Sequence, residues 1–251
     1  MSNILVFTDL DGTLLDHDNY SFKDAIPALN ILKNKEIPTI LASSKTQAEM
    51  KIIHKEMDLN GYPYIFENGS GIFYKNQIYE FGTSIKAIHK VLLALMNFYN
   101  FKFYSTLPIK KAINLTGLKL EQCKNSQIRL FSEPLIWMDS DISRHKFIKD
   151  IETQGLKASQ GGRFLTISSH HDKADALKWV KSRYEEGSNS EFTAIGLGDG
   201  ENDINMINVC NTKILIKNNN AHLKQDDWIM SNMPGPKGWG EEVIKAIKKY
   251  E

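Results

Sequence analysis

Cysteine is nearly missing from this chain of 251 residues: Cys123 and Cys210 are the only two, and they form no paired metal-ligand spacing. A disulfide framework and a cysteine zinc site are thereby excluded, and both thiols are expected in the core. Also missing is any run near the roughly 18 consecutive apolar residues that a membrane span needs, and no basic flank precedes an apolar stretch at the N-terminus. No membrane partner is expected, and a cytoplasmic address is the default. Charge of one sign is not in excess either, because 31 Lys and Arg stand against 30 Asp and Glu, a net charge of +1. Such a balance supplies no basic field for nucleic acid, although local phosphate binding stays open. No repeat or low-complexity tract interrupts the chain.

What is present is alternation. Ile4 to Phe7 read as a buried strand, Asp24 to Lys35 as a helix with Ser21 and Asp24 as its capping box, and Pro38 to Ala42 as a second strand. Thr46 with Glu49 caps the helix that follows, and Tyr64 to Glu67 form a third strand. The rhythm returns later with a helix from Asp172 to Tyr184, a strand over Phe192 to Gly198, a short helix from Asp203, a strand over Lys213 to Ile216 and a last helix from Glu241. This order predicts an α/β fold with a Rossmann-like parallel sheet covered on both faces. Residues 82–165 break the pattern: two helical stretches, "SIKAIHKVLLALMNFY" and "ISRHKFIKDIETQ", lie among strand-like pieces. They predict an inserted α+β unit, leaving 1–81 and 166–251 as the core. The polar stretch 216–227 reads as a surface loop.

The first strand runs straight into "DLDGT", which places Asp9 and Asp11 at the carboxyl end of a buried strand. Carboxylates held there repel one another unless a cation or a proton joins them. In an open parallel sheet this edge is the ligand crevice. Three further segments deliver polar residues to it: Ser43, Ser44 and Lys45 after the second strand, Lys173 at a helix start, and "GDGEND" from Gly198 to Asp203. Asp9, Asp11, Asp199 and Asp203, with no histidine or cysteine among them, make an oxygen-only set suited to Mg²⁺ rather than zinc. Lys173 adds a point charge, and the Ser43 hydroxyl suits a phosphoryl oxygen. Each piece has a plainer reading alone, a turn for Asp-x-Asp-Gly and a solvated helix residue for Lys173. Their joint order at strand ends and helix starts argues for one site.

That order resembles the haloacid-dehalogenase-like phosphohydrolase superfamily, whose first motif, D-x-D-G-T, is matched by Asp9 to Thr13. Ser43, Lys173 and the Asp199 to Asp203 stretch match the second, third and fourth motifs. The resemblance implies that Asp9 forms an aspartyl-phosphate, that Asp11 is acid and then base, and that Ser43 and Lys173 hold the phosphoryl oxygens. It implies Mg²⁺ held by Asp9, Asp199 and the Asp11 backbone carbonyl, with Asp203 acting through water. The insert between the second and third motifs resembles a C2-type cap, of the C2B kind.

Further stretches, "SSKTQAE", "ENGSGIF", "RLFSEPLIW", "GGRFLTI" and "GPKGWGE", are similar to the mannosyl-3-phosphoglycerate phosphatase family. That likeness implies a phosphorylated sugar-glycerate as the small-molecule partner. Its carboxylate calls for a further cation, with Arg129 and Arg163 as candidates. Ser44, Lys45, Glu67, Asn68, Ser132, Glu133 and Asn202 are expected to meet the remaining polar groups. Related sugar phosphates, a phosphomutase reaction and a non-catalytic Mg²⁺-binding phosphoacceptor are the alternatives.

Overall fold

The computed structural model describes residues 3–161, 163–219 and 221–250. In chain order the elements are β1 (Ile4–Thr8), α1 (Ile26–Asn34), β2 (Thr39–Ala42), α2 (Gln47–Glu56), β3 (Tyr64–Phe66), β4 (Gly71–Tyr74) and β5 (Gln77–Glu80). Next come α3 (Ile85–Leu95), β6 (Phe101–Phe103), α4 (Ile109–Thr116), α5 (Leu120–Ser126), β7 (Ser132–Trp137), α6 (Asp141–Thr153), β8 (Lys157–Gly161) and β9 (Phe164–Ser168). The chain closes with α7 (Lys173–Ser188), β10 (Thr193–Gly198), α8 (Ile204–Asn208), β11 (Thr212–Lys217), β12 (Ile229–Pro234) and α9 (Gly235–Lys248).

Eight strands form one sheet in the order β12-β11-β10-β1-β2-β3-β4-β5. The pairs from β12 to β3 are parallel, and the β4–β5 hairpin extends the sheet antiparallel. Strand periodicity explains the two layers of core: Ile4 and Val6 point into a cluster with α1 and α9, whereas Leu5 and Phe7 point into one with α7. Both faces of β1 are buried, as an α/β sheet requires. Four antiparallel strands, β6-β7-β9-β8, make a second sheet with its own core around Leu135, Phe147, Ile151 and Ile167. β9 extends to Ser168, so the expected insert boundary at residue 165 falls inside a strand.

The doubly covered parallel sheet with a second α+β layer is the fold class that the alternation predicts. Local details differ. Ser21 and Asp24 form no capping box; α1 carries no side-chain cap, and Pro27 stands in its first turn instead. The Thr46–Glu49 box is present. The last helix begins at Gly235, six residues before the expected Glu241, because "GPKGWG" packs its small residues and Trp239 against the core. The 216–227 stretch is not uniformly loop, since β11 continues through Lys217 and a short turn of helix spans Ala221–Leu223. No described helix is long and apolar enough to cross a membrane.

Candidate active site

At the carboxyl end of the sheet, β1 delivers Asp9, β10 delivers Asp199 and the N-terminus of α7 delivers Lys173. Lys173 is 1% exposed; its Nζ donates to Asp9 Oδ1, and to Asp203 Oδ1 at 2.7 Å. Carboxylate oxygens of Asp9, Asp199 and Asp203 lie within 4.8 Å of one another. Asp203 Oδ2 accepts from the backbone N–H of Asp199 (3.1 Å) and of Gly200 (3.0 Å), so this side chain also shapes the loop. Asp199 is held by the Thr13 hydroxyl (2.9 Å) and by Asn218 Nδ2 (2.8 Å). Gly12 has φ +80°, and a Cβ there would lie 2.5 Å from Asp199 Oδ2, so both the turn and the close approach require glycine.

The electrostatics follow from crowding. Burial first, then the Asp203 carboxylate, push the Asp9 carboxyl well above the ordinary range, with Lys173 opposing. Burial and Asp203 likewise raise Asp199. For Lys173 burial acts downward, but Asp203 and Asp9 outweigh it and hold the ammonium above the ordinary lysine range. Were all three carboxylates ionised, they would exceed the one ammonium by two negative charges, on oxygen-only donors. A hard divalent cation such as Mg²⁺ fits that donor set.

Asp11 stands apart from this group. Its Oδ2 pairs with Lys45 Nζ at 2.6 Å, and its Oδ1 is buried with no hydrogen-bond partner among the described residues. Burial lowers Lys45, but Asp11, with Glu49 and Tyr20, outweighs it and the net shift is upward. Ser43 is buried at the end of β2, where its Oγ accepts from the Lys45 N–H at 3.2 Å.

Beyond Lys45 a cavity of about 560 Å³ lies between the two sheets. Ser44, Lys45, Arg129 and Arg163 line it, with Tyr20 from the core and Tyr104 and Phe164 from the insert. Arg129 is pinned there: Nε donates to Ser126 O at 3.1 Å, and Nη1 to Ser44 O at 3.1 Å and Ser132 Oγ at 3.3 Å. Arg163 is exposed and donates to Leu115 O. Asn68 and Asn202 meet side chain to side chain at 3.5 Å, joining the loops after β3 and β10.

Three expected sugar contacts lie elsewhere. Glu67 is 1% exposed and accepts from the N–H groups of Leu130 and Phe131 (both 2.9 Å) and from the Ser132 hydroxyl (2.6 Å). Glu67 and Ser132 are thus spent on each other at the junction of the two sheets and are not presented to a ligand. Successive left-handed residues, Glu67 (φ 46°) and Asn68 (φ 55°), turn the chain there. Glu133 is fully buried and bonded to His89 Nε2 at 2.6 Å and to Ser105. A strand end tells which residues are polar but not which way each one faces.

Two residues of the site escaped the sequence reading. Asn218 follows β11 at the same sheet edge, inside the stretch read as a loop. Trp239 Nε1 donates to Thr8 Oγ1 at 2.9 Å, and Thr8 Oγ1 donates to the Asp9 carbonyl at 2.7 Å, which fixes the backbone of the aspartate. For Asn218 its place just past a C-terminal strand was the available signal; nothing in the sequence signals the Trp239 contact.

Known proteins bear on this arrangement. The chain is 33% identical to the glucosyl-3-phosphoglycerate/mannosyl-3-phosphoglycerate phosphatase of Persephonella marina, over 99% of this chain and 98% of that one. Its fold is similar to that of a protein from Thermoplasma acidophilum, with TM-score 0.74 and 18% identity over 99% of both chains. A subclass IIB sugar phosphatase is similar too, with TM-score 0.69 and 14% identity over 98% of both. The sequence family described as haloacid dehalogenase-like hydrolase matches residues 6–108 and 138–230, both segments that build the acidic corner, and passes over 109–137. With its four motifs gathered at one sheet edge and more than half its length matched, the chain belongs to the haloacid dehalogenase-like hydrolase family.

Proposed function

We propose that this protein is a Mg²⁺-dependent phosphomonoesterase that converts mannosyl-3-phosphoglycerate to mannosylglycerate and phosphate. The observation that carries the reading is the Lys173 ammonium shared by Asp9 and Asp203 beside Asp199, with Lys45, bonded to Asp11, lining the cavity between the core and the insert. Asp9 attacks phosphorus: an Asp9 O–P bond forms as the ester P–O bond breaks, and Asp11 gives the leaving oxygen its proton. Asp11 then takes a proton from water, whose oxygen bonds to phosphorus while the Asp9 O–P bond breaks. Lys173 and Ser43 stabilise charge on the phosphoryl oxygens. Asp9, Asp199 and the Asp11 carbonyl would hold the metal, with Asp203 acting through water. When bound, Mg²⁺ supplies the positive charge that lets a carboxylate approach a phosphoryl group.

Residues 82–165 serve as the cap, and Ser44, Lys45, Arg129 and Arg163 face the organic part of the ester. Arg129 is the better carboxylate ligand of the two arginines, because three protein acceptors on Nε and Nη1 fix its plane and leave the two N–H groups of Nη2 for the ligand. The relative's name includes the glucosyl compound, which makes it the second candidate substrate. Phosphate release from mannosyl- and glucosyl-3-phosphoglycerate and from neutral sugar phosphates, each with Mg²⁺ and with a chelator, tests the reading. Metal-dependent turnover of the glycerate esters is expected. A preference for phosphates that lack a carboxylate overturns the substrate, and equal rates with chelator overturn the metal.

A further inference from the structure

The three cations of the cavity are not equivalent. Arg129 and Arg163 each donate to backbone carbonyls and are fixed by them. Lys45 is different: among the described residues its Nζ has the Asp11 carboxylate at 2.6 Å and the Tyr20 ring, centroid at 5.5 Å. The same Nζ therefore stands between the cavity and the acid–base aspartate. Asp11 in turn has one oxygen buried without a partner and the other covered by Lys45. Oδ2 is thus the oxygen through which Asp11, its side chain 37% exposed, can meet a leaving group, and the Lys45 ammonium already competes for it.

We propose that Lys45 exchanges partners: a carboxylate on the substrate draws its ammonium off Asp11, and the exchange frees Asp11 Oδ2 to face the leaving oxygen. The proposal rests on the functional reading above, which gives Asp11 the proton transfers. Its physical basis is the contrast between side chains. A lysine ammonium is a point charge on a flexible four-carbon stem and re-aims with little directional loss. Arg129, held by the carbonyls of Ser126 and Ser44 and by Ser132, offers its fixed Nη2 beside the new position. An anion entering between them has one rigid partner and one mobile one. The carboxylate then acts on the rate as well as on affinity, so esters lacking it leave Lys45 on Asp11 and react slowly. Lys45 is in this sense a positioning residue for Asp11.

The test compares mannosyl-3-phosphoglycerate with its analogue in which the carboxylate is reduced to a hydroxymethyl group. Wild type, Lys45→Met and Lys45→Arg are assayed with Mg²⁺, and kcat and KM are read separately. Wild type should show kcat on the order of 100-fold higher for the carboxylated ester, the scale on which a misplaced catalytic group acts. In Lys45→Met that kcat ratio should collapse toward one, with the neutral ester turning over faster than in wild type, and Lys45→Arg should restore part of the ratio. A plain binding role moves KM and leaves the kcat ratio intact; that result overturns the exchange while leaving the phosphatase reading standing. A wild-type enzyme that hydrolyses neither ester overturns the functional reading, and the exchange with it.

Discussion

Lys173 and Lys45 each bond an aspartate of the same loop, two residues apart, yet their settings differ in kind. Lys173 is enclosed, bonded to Asp9 and Asp203; the other Asp203 oxygen takes backbone N–H groups, and the neighbouring Asp199 is held by Thr13 and Asn218. Lys45 bonds one carboxylate, lies over one aromatic ring, and faces a cavity that Glu49 also lines. The corner around Lys173 lies in segments shared across the hydrolase family, whereas Arg129, α4 and α5 lie in residues 109–137, outside that match. A rigid, fully bonded charge cluster suits chemistry common to many esters. A looser wall with one adjustable cation, Lys45, suits the choice of one.

The strongest way to break this contrast is Asp9→Asn, which should lower turnover at least about 10⁴-fold on every ester, since an amide is no nucleophile. Metal-dependent phosphate release checks it. Without metal, the same variant should melt higher than wild type by a margin that grows with pH. Asp9 keeps its proton longer folded than unfolded, so its ionisation destabilises the native state as pH rises above about 4, and asparagine removes that loss. Thermal melts of both proteins in chelator between pH 4 and 7 read the trend.

Next in size is Lys173→Met. Two buried carboxylates lose their counter-charge, so stability should fall by about 3 kcal/mol together with activity on all esters. Urea denaturation measures the first loss. Arg129→Ala should act selectively, cutting kcat/KM for the carboxylated substrate roughly 10- to 100-fold and that for a small neutral ester much less; equal losses would move Arg129 into the common machinery. Smallest is Trp239→Phe, which keeps most of the packing, removes the bond to Thr8 and should cost about 1 kcal/mol in a melt.

The same contrast explains what the sequence discloses. Asp9, Lys173, Asp199 and Asp203 were legible because strand ends and a helix start bring them to one edge whatever the details of packing. Glu67 and Ser132 were not, because their role depends on which way a side chain turns at the junction of two sheets, and residue type is silent on that. α4 and α5 are short, and their apolar positions are too few to declare a helix against the neighbouring glycine and proline. Trp239 was hidden by the glycines and proline around it, which suggest a loop until the close packing of the first turn of α9 is seen.

The Trp239 contact also has a temporal side. Thr8 and Trp239 are 231 positions apart, so at ordinary rates of about 5–20 residues per second the ribosome needs roughly 10–50 s to supply the partner of a strand it made almost at once. For most of that interval β1 has neither its parallel neighbour β10 nor the lysine that neutralises Asp9. The exposed strand "ILVFT" must be kept from pairing wrongly in the meantime, and the aspartates that end it, hydrated and charged, are well suited to do so. The residues proposed for catalysis thus guard the nascent chain before they have a site to occupy.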